Sequence, residues 1–488
     1  MHVSRLLEQL HLPTIDLSVL PKEPPPERIR RVFCNRSLRL DQIEWVGFDM
    51  DYTLAIYDQA KMDQLTIDAA LPKLIERGYP ESLRTVDYDL TFPVRGLMVD
   101  AKLGNVLKMD RYKYVKRAYH GMRELSYDER RELYRSTRVR AKGSTRYHFI
   151  DTLYALSEVT LFAAGVAHME SLGLTVDYHE WFYAIRDAVD RSHQDDSILR
   201  AIREDPGRFL VRDMDLPRAL HTLRSAGKKL FLITNSRPEY THVMMSFLLE
   251  GIIPECQRWQ QLFDVVITTA KKPGFFVEEQ LPFSDEHGPV SEPLARGKVY
   301  QGGCASELAR RAGIEGDRVL YIGDHIYGDV LRAKKHSPWR TAMIIQELEP
   351  ELTAVTRTQQ ATARWDVLED ARHDLFDELH RINGLLKVAP ESESAEETAR
   401  RTRLKRQLDR TRARLRALEA ECTQLEQEIE RAFHPYWGPL LKAGAEPTSF
   451  AHQVETYACL YTSRVSNFLG YSAHHYFRSP RERLPHEL

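Results

Sequence analysis

The sequence predicts an α/β protein: a doubly wound, Rossmann-like parallel sheet with a large, mostly helical inserted cap and a C-terminal helical hairpin. Three short apolar runs begin at Glu44, Lys228 and Arg318, and each is rich in β-branched or aromatic residues, as buried parallel strands are. Each run ends in small, polar or acidic residues, at the edge where open α/β sheets bind their ligands. A fourth run, residues 263–272, ends in two lysines. We therefore expect a ligand site where these four strands end.

The stretch between the first two strand ends is long enough to contain a domain. The chain has 488 residues, and a single hydrophobic core rarely extends beyond about 300. A crossover between parallel strands needs only about a dozen residues, whereas Asp49 and Thr234 are much further apart in the chain. Residues 152–170 and 181–194 have helical apolar spacing, and strand is indicated near residues 92–107. The expected division is residues 1–70 for the N-terminal segment and the first part of the core, 71–212 for the cap, 213–350 for the rest of the core, and 351–488 for the hairpin and tail.

Helix formers dominate after Glu349, where the strand signals stop. One apolar stripe is followed by a second that alternates steps of four and three over about four heptads, as in a coiled-coil seam. Because residues 388–397 separate the stripes, we expect an antiparallel helical hairpin. Arginines crowd residues 400–416, but glutamates follow on the same helix, which favours a solvated or partner-facing helix over a nucleic-acid patch. The stripes are Leu368, Leu375, Leu379, Ile382 and Leu386, and then Leu404, Leu408, Thr411, Leu415, Leu418, Cys422, Leu425, Ile429 and Ala432.

Composition and charge exclude several classes of protein. Lys plus Arg total 69 against 71 Asp plus Glu, so the net charge of -2 provides no global field toward nucleic acid or an anionic membrane. The five cysteines are scattered without a C-x-x-C pair, which favours a reducing compartment. Neither a signal-peptide pattern nor a run of about 18 apolar residues is visible. We expect a cytoplasmic protein that binds neither nucleic acid nor membrane.

Asp49, Asp51 and Thr53 form a D-x-D-x-T pattern at the end of the first predicted strand. Side chains two apart on a strand share one face, and both carboxylates can serve one site where the strand ends and the backbone turns. A carboxylate can attack a phosphoryl group to form an aspartyl-phosphate, while a second carboxylate carries the proton to and from the leaving oxygen. Taken alone, the pattern is more often a solvated turn or a helix cap.

The other strand ends carry the groups that such a reaction needs. Asp324 and Asp329 follow the third strand and offer oxygen ligands for Mg²⁺, with Asp329 orienting the ligand shell from behind. A hydroxyl group and a lysine ammonium hold a transferring phosphoryl group and neutralise its charge. Because all four strand ends carry such groups, a phosphoryl-transfer site is favoured over a set of unrelated solvated turns and helix caps. The remaining candidates at these ends are Thr234, Asn235, Ser236, Lys271 and Lys272.

These four motifs, in this order, resemble the haloacid dehalogenase superfamily of phosphohydrolases and phosphotransferases. The resemblance extends over nearly the whole chain to the cytosolic purine 5'-nucleotidase branch, which prefers IMP and GMP. The similar stretches are residues 48–57, 92–121, 186–193, 270–276, 321–335 and 434–438, and the tail 478–488.

The resemblance implies a mechanism and a set of site residues. Asp49 would attack phosphorus, Asp51 would protonate the leaving oxygen and then activate water, and Thr234 and Lys272 would hold the phosphoryl group. Mg²⁺ would be bound by Asp49, the Asp51 backbone carbonyl and Asp324, with Asp329 in support. The family's K-P pair favours Lys272 over Lys271 and Lys298. Thr53, Asn235 and Ser236 are expected to contact the substrate beside these residues.

For the base, the resemblance indicates the cap. Arg186 and Asp190 are four apart, so on a helix they share one face and could contact a purine ring through paired donor and acceptor groups. Arg186 would donate to a 6-oxo group, which adenine lacks. Tyr154 lies where the family has a stacking aromatic residue, and His193 lies one turn beyond Asp190. Without the family, Arg186 and Asp190 are more simply an ordinary ion pair on a helix surface.

The chain also departs from the family pattern. Ala155 and Gln194 stand where the family commonly has an asparagine and an aromatic residue, and such losses could relax selectivity for purine monophosphates. We expect a Mg²⁺-dependent 5'-nucleotidase for purine nucleoside monophosphates, IMP and GMP first, with nucleoside phosphotransferase activity as a second prediction. The alternatives are a phosphatase of another small phosphorylated metabolite and a nucleotide-sensing interaction protein. The family also implies a nucleotide effector and a homo-oligomer, a dimer or tetramer.

Overall fold

The computed structural model describes residues 26–136, 139–140, 143–290, 293–314, 316–388, 394–480 and 485–487. Residues 1–25 of the predicted N-terminal segment, residues 389–393 of the break between the apolar stripes, and most of the family-like tail after residue 480 lie outside the described residues.

Strands and α-helices alternate through residues 210–277 and again through residues 299–344, as the predicted fold class requires of the core. The strands in chain order are β1 (Phe33–Cys34), β2 (Leu38–Arg39), β3 (Trp45–Phe48), β4 (Ile56–Tyr57), β5 (Met98–Asp100), β6 (Asn105–Met109), β7 (Val115–His120), β8 (Arg123–Glu124), β9 (Tyr147–Phe149), β10 (Leu210–Val211), β11 (Lys229–Ile233), β12 (Val265–Thr268), β13 (Phe283–Asp285), β14 (Gly288–Pro289), β15 (Val299–Gly302), β16 (Val319–Gly323), β17 (Arg340–Ile344), β18 (Lys442–Ala443), β19 (Glu446–Pro447), β20 (Leu460–Thr462) and β21 (Tyr476–Phe477). The α-helices are α1 (Gln59–Glu76), α2 (Tyr127–Tyr134), α3 (Leu156–Ser171), α4 (Tyr178–Gln194), α5 (Ser197–Glu204), α6 (Pro206–Phe209), α7 (Leu216–Ser225), α8 (Pro238–Leu249), α9 (Gly274–Val277), α10 (Ala305–Ala312), α11 (Arg332–His336), α12 (Leu348–Arg357), α13 (Gln359–Val388), α14 (Ala395–Arg431) and α15 (Ser449–Tyr457).

A ten-stranded sheet forms the core, in the order β1-β20-β17-β16-β3-β11-β12-β15-β13-β14. The four strands predicted from the sequence, β3, β11, β12 and β16, are neighbours in this sheet and run parallel. From β3 the chain continues through β11, β12 and β15 toward one edge of the sheet, and it then returns through β16, β17 and β20 toward the other edge. The sheet is therefore doubly wound, and the predicted fold class is confirmed. Phe48 is in register with both Leu232 and Ile322, which brings the carboxyl ends of three strands to one point.

The central strand β3 is buried along its whole length. Gly47 in this strand faces the ring of Phe231, and a Cβ atom there would lie 2.1 Å from a ring carbon. The absence of a side chain therefore lets an aromatic residue of the next strand pack directly on the middle of the sheet. Burial of such apolar runs contributes about 25 cal/mol per Å² of surface removed from water.

The insertion leaves and rejoins the core through β4 and β10, which pair antiparallel with Tyr57 opposite Leu210. It contains the helices α3 and α4 and a five-stranded antiparallel sheet in the order β8-β7-β6-β5-β9. The sequence indicated strand only near residues 92–107, whereas this sheet extends to Phe149. The strands β7, β8 and β9 were not predicted because they have too few apolar residues in alternation. The predicted boundary after residue 70 falls within α1.

The C-terminal part of the chain begins with the helical hairpin formed by α13 and α14. Ile382 on the first helix and Leu408, Leu415 and Cys422 on the second are buried between them, as the two apolar stripes predicted. The expectation that strands stop after Glu349 is wrong. The chain returns to the core after the hairpin, and β20 adds a parallel strand beside β17. This strand has only three residues, too few to show a pattern in the sequence.

Within the part of the chain that the structure describes, no helix combines the length and the apolar character that crossing a membrane requires.

Candidate active site

Asp49 and Asp51 line one cavity of about 220 Å³ at the carboxyl end of β3. The strand ends at Phe48, and Tyr52 has a positive φ of 55°, so the chain turns sharply just after the second carboxylate. The Asp49 backbone N–H still donates to the Ile322 carbonyl oxygen of the neighbouring strand at 2.9 Å. The first carboxylate is therefore fixed by the sheet and the second by the turn, and both reach the same cavity.

Lys272 lies between two of the buried carboxylates. Its Nζ is 2.6 Å from Oδ1 of Asp49 and 2.7 Å from Oδ1 of Asp329, and the side chain is 5% exposed. Burial alone would lower the pKa of Lys272, but Asp329 and Asp49 raise it above its ordinary value, so the ammonium stays charged. The two other lysines considered from the sequence, Lys271 and Lys298, are exposed.

Asp49, Asp324 and Asp329 are buried, and each offers a carboxylate oxygen within 4.8 Å of the others. Gly323 permits this approach, since a Cβ atom there would lie 2.5 Å from the Asp329 Cβ. Burial raises the pKa of Asp324 to about 8 and that of Asp49 well above its ordinary value, and Lys272 opposes the shift at Asp49. A cluster of buried carboxylates with so little cationic charge fits a divalent metal ion, whose charge would offset their repulsion.

Asp51 is held by two hydroxyl groups. Tyr57 donates to Oδ1 at 2.6 Å, and Ser236 donates to Oδ2 at 2.7 Å. Tyr57 Oη also lies 3.0 Å from the hydroxyl of Tyr240. Burial raises the pKa of Asp51, and the hydrogen bonds from Tyr57 and Ser236 lower it in part. The raised pKa suits a carboxyl group that must donate and later accept a proton near neutral pH.

Of the predicted hydroxyl and amide residues Thr53, Thr234, Asn235 and Ser236, Asn235 is the one that lines the cavity. Thr234 is buried, and its Oγ1 accepts the Ser236 backbone N–H at 3.1 Å. Asn235 lines the cavity and accepts the Lys272 N–H at 2.6 Å while donating to the Lys272 carbonyl at 3.1 Å. Thr53 is buried, and its Oγ1 has no hydrogen-bond partner among the described residues. Ser236 therefore holds the Asp51 carboxylate by a hydrogen bond, and Asn235 fixes the backbone at Lys272.

Tyr154 brings the cap to the cavity. It lines the cavity next to Asp51, and its ring lies edge-on to Tyr52 at 4.7 Å between centroids. His193 lies behind it, at 6.1 Å between centroids. Burial lowers the pKa of His193, which keeps this imidazole neutral at neutral pH. An aromatic ring from the cap thus lines the cavity beside Asp51, and the imidazole of His193, which does not line the cavity, lies next to that ring.

Arg186 and Asp190 share an exposed face of α4, but the structure pairs Arg186 with a residue that the sequence reasoning missed. Arg186 Nε is 3.6 Å from Oε2 of Glu158, and its guanidinium lies over the ring of Phe182 at 5.9 Å. Among the described residues, Arg186 makes no ion pair with Asp190. Burial raises the pKa of Glu158 to about 7, and Arg186 opposes the shift. The spacing from Tyr154 to Glu158, one helical turn, was the available signal.

Arg95 is the second residue that the sequence reasoning missed. It is fully buried, donates to the Asp324 carbonyl oxygen at 2.8 Å, and pairs with Glu347 through Nε at 2.7 Å and Nη2 at 2.5 Å. Its guanidinium is also 3.7 Å from Oδ2 of Asp324. Arg95 belongs to the insertion, whereas Asp324 and Glu347 belong to the core, so this cation joins the two beside the carboxylate cluster. The sequence contained no pattern that marked it.

The doubly wound sheet and the strand-end carboxylates, lysine and threonine define a phosphoryl-transfer site of the haloacid dehalogenase type. The chain matches the profile of the 5' nucleotidase family over residues 32–488 and belongs to that family. The resemblance seen in the sequence is thereby confirmed, and the protein is a phosphoric monoester hydrolase.

A rat relative named 5'-nucleotidase domain-containing protein 2 is 30% identical over 475 residues, which span 93% of this chain and 80% of the relative. Among solved structures, CbbY from Rhodobacter sphaeroides in complex with phosphate is 15% identical, with a TM-score of 0.24 over 62% of this chain and 86% of its own. The HAD-hydrolase YfnB from Bacillus subtilis, bound to magnesium, is 13% identical, with a TM-score of 0.22 over 62% of this chain and 88% of its own. Both TM-scores are below 0.5, so the fold assignment rests on the sheet topology and the family.

Proposed function

We propose that the protein is a Mg²⁺-dependent 5'-nucleotidase that hydrolyses purine nucleoside 5'-monophosphates, IMP and GMP first, through an aspartyl-phosphate on Asp49. The observation that carries the proposal is the shared cavity of Asp49 and Asp51, with Lys272 between Asp49 and Asp329. A nucleophilic carboxylate, a proton carrier and a buried cation are the groups that phosphate-ester cleavage by covalent catalysis needs.

The first step forms the bond between Asp49 and phosphorus. Oδ1 of Asp49 accepts the Met50 N–H at 2.7 Å and contacts Lys272, so Oδ2 is the oxygen left to attack. The bond from phosphorus to the 5' oxygen breaks, and Asp51 gives its proton to that oxygen. Water then attacks the phosphoryl group, Asp51 takes the proton from this water, and inorganic phosphate leaves Asp49.

Lys272, which lines the cavity, and Thr234, which is buried beside it in the chain segment after β11, would hold the phosphoryl oxygens during both steps. Asp49, Asp324 and the Asp51 backbone carbonyl would hold Mg²⁺, and Asp329 would support them. When bound, the ion supplies positive charge that offsets the negative charge of the phosphoryl group and the carboxylates.

The purine preference is supported by the groups on the cap side. Tyr154 lines the cavity and offers a ring for stacking. Arg186 is not among the residues that line the cavity and pairs with Glu158, and we expect its guanidinium to supply donors for a 6-oxo group when a substrate binds. Adenine presents an amino donor at that position and would leave the guanidinium unpaired. Ala155 and Gln194 replace an asparagine and an aromatic residue that the family commonly carries, so we expect a weaker preference for purine monophosphates. Transfer of the phosphoryl group to a nucleoside instead of water is a second expected activity.

Phosphate release tests the proposal, with IMP, GMP, AMP, UMP and a generic aryl phosphate as substrates, with Mg²⁺ and with excess chelator. Asp49→Asn is compared with Asp87→Asn, an exposed aspartate remote from the cavity. We expect IMP and GMP to lead, metal to be required, and only Asp49→Asn to abolish turnover. Turnover of the aryl phosphate alone would mean a phosphatase of another small metabolite. Nucleotide binding without any turnover would favour a sensor.

A further inference from the structure

Two buried tyrosines lie behind Asp51 without reaching the cavity. Tyr57 lies on β4, where the chain leaves the core, and Tyr240 lies on α8 of the core. The two residues are 2% and 3% exposed, and neither lines the cavity. The proposed mechanism assigns no role to either hydroxyl group, although both are connected to the carboxyl group that must carry a proton.

The hydroxyl groups form a chain of hydrogen bonds that ends at Asp51. Tyr57 donates to Oδ1 of Asp51 at 2.6 Å, and its oxygen lies 3.0 Å from the Tyr240 hydroxyl. A tyrosine hydroxyl has one hydrogen, so while Tyr57 donates to Asp51 it can only accept from Tyr240. In the part of the chain that the structure describes, the Tyr240 hydroxyl makes no other hydrogen bond. The hydrogens therefore all point one way, from Tyr240 through Tyr57 to Asp51.

The reverse direction of this chain is unfavourable. It would need a proton on Oδ1 of Asp51, donated to Tyr57, with Tyr57 then donating to Tyr240. The hydrogen of Tyr240 would be left in the protein interior without an acceptor, which disfavours this arrangement roughly tenfold or more. Burial and the charge of Asp51 also raise the pKa of both phenols, so each keeps its hydrogen. Oδ1 of Asp51 is thus an oxygen that accepts a hydrogen bond and does not carry the proton.

Packing fixes the first phenol in this position. The ring of Tyr57 lies 4.9 Å from the ring of Tyr52, measured between centroids. Its backbone is held as well, because β4 pairs with β10 and places Tyr57 opposite Leu210. The phenol that contacts Asp51 therefore has a fixed place and, through Tyr240, a fixed direction of donation.

We propose that Tyr240 and Tyr57 are positioning residues that keep the proton of Asp51 on Oδ2. The inference rests on the proposed function, in which Asp51 protonates the leaving oxygen. Oδ2 lies 2.7 Å from the Ser236 hydroxyl, a group that can donate or accept and so tolerates a protonated oxygen. As the bond between phosphorus and the ester oxygen breaks, its electron pair stays on that oxygen, which takes the proton from Oδ2. Asp51 is then left as the carboxylate that Tyr57 and Ser236 hold by hydrogen bonds.

Leaving groups of different basicity test the proposal. A nitrophenolate is a weak base and leaves without a proton, phenolate is a stronger base, and the 5' oxygen of IMP needs a proton most. The value of kcat/KM reports the first chemical step, in which this group departs. Tyr57→Phe should lower kcat/KM for IMP by about 100-fold, for phenyl phosphate by less, and for p-nitrophenyl phosphate by under about threefold. Tyr240→Phe should follow the same order, with a loss of about tenfold for IMP.

The double variant shows whether Tyr240 acts through Tyr57. Without the Tyr57 hydroxyl, Tyr240 has no path to Asp51, so the double variant should lose no more than Tyr57→Phe alone. Tyr134→Phe is the matched control, because Tyr134 is a buried cap residue that donates to the Asp100 carboxylate at 3.0 Å. It should leave kcat/KM for all three substrates unchanged. Hydrolysis of p-nitrophenyl phosphate also shows that each variant has folded.

Asp51→Asn separates this inference from the proposed function. It should show the same order of losses, more strongly than either tyrosine variant. If Asp51→Asn lowers kcat/KM equally for all three substrates, the acid role of Asp51 fails and the inference falls with it. If Asp51→Asn shows the order while the tyrosine variants affect all three substrates equally or not at all, the inference alone is overturned. Additive losses in the double variant would also overturn it, because Tyr240 would then act by another route. Phenyl and p-nitrophenyl phosphates need no base site, so the comparison holds even if IMP is not the substrate.

Discussion

Replacing Lys272 with methionine is expected to destabilise the metal-free protein as well as to stop catalysis. The ammonium contacts Asp49 at 2.6 Å and Asp329 at 2.7 Å, and all three side chains are at most 11% exposed. Methionine matches the length of the lysine side chain without its charge. The substitution therefore leaves two buried carboxylates without the cation that both contact.

The expected magnitude follows from these distances. At an effective dielectric constant of about 20, each contact is worth about 6 kcal/mol of Coulomb attraction. Part of this is offset, since the ammonium no longer has to be desolvated and a carboxylate can take up a proton. Breaking buried ion pairs typically costs about 3–5 kcal/mol, and we expect a loss of that size in the free energy of unfolding. The loss of phosphate release should be about 100-fold or more.

A double-mutant cycle distinguishes this electrostatic effect from simple loss of packing. Urea unfolding in excess chelator is measured for Lys272→Met, Asp329→Asn and the combination of the two. If the charges are coupled, the double variant should recover about 2 kcal/mol or more relative to the sum of the single changes. Additivity within about 0.5 kcal/mol would refute the reasoning, because it would mean that the ammonium and the carboxylate do not stabilise one another.

Three further changes probe residues around the cavity. Burial raises the pKa of Asp63 to about 8, above its unfolded value, so wild-type stability should fall as pH rises from about 4 to about 8. Asp63→Asn lacks this loss, and its advantage in urea unfolding should grow by about 5 kcal/mol over that range. Arg95→Met should lower the free energy of unfolding by about 3 kcal/mol or more, and adding Glu347→Leu should recover over half of it. Glu158→Gln should lower kcat/KM for IMP by about tenfold, because Arg186 then loses the carboxylate that holds its guanidinium in position. Hydrolysis of an aryl phosphate should not change.

The chemistry of the site could be predicted from the sequence because its residues follow recognisable strands. Asp49 and Asp324 each come directly after a buried apolar strand. Parallel strands bring their carboxyl ends together whatever the connections between them contain. The position of these carboxylates therefore depends only on identifying the strands, which periodicity and β-branched composition allow.

The supporting contacts could not be predicted, because they join distant parts of the chain. Arg95 meets the Asp324 carbonyl oxygen across 229 positions, and no local pattern marks an arginine that will become fully buried. The strand at residues 460–462 pairs with β17 only after the chain has left the core and returned. Helical spacing could have placed Glu158 on the same side as Tyr154, four residues earlier. Its burial could not be predicted, because it depends on how α3 packs against α4. Such contacts are set by tertiary packing and not by local propensity.

The charged residues around Asp49 are buried, whereas Arg186 on the cap is exposed, and this difference affects how substrate selectivity can vary among relatives. Asp49, Asp329 and Lys272 are buried together, and Arg95 ties the neighbouring Asp324 to the far side of the core. Removing Lys272 or Arg95 leaves buried carboxylates without a cation that contacts them, so substitution of either residue carries a cost in stability. Arg186 is 47% exposed, and its partner Glu158, whose pKa burial raises to about 7, can take up a proton, so a change at Arg186 carries a smaller cost in stability. Differences from relatives on the cap side are therefore expected to alter which phosphate ester binds, while the phosphoryl chemistry of the core stays the same.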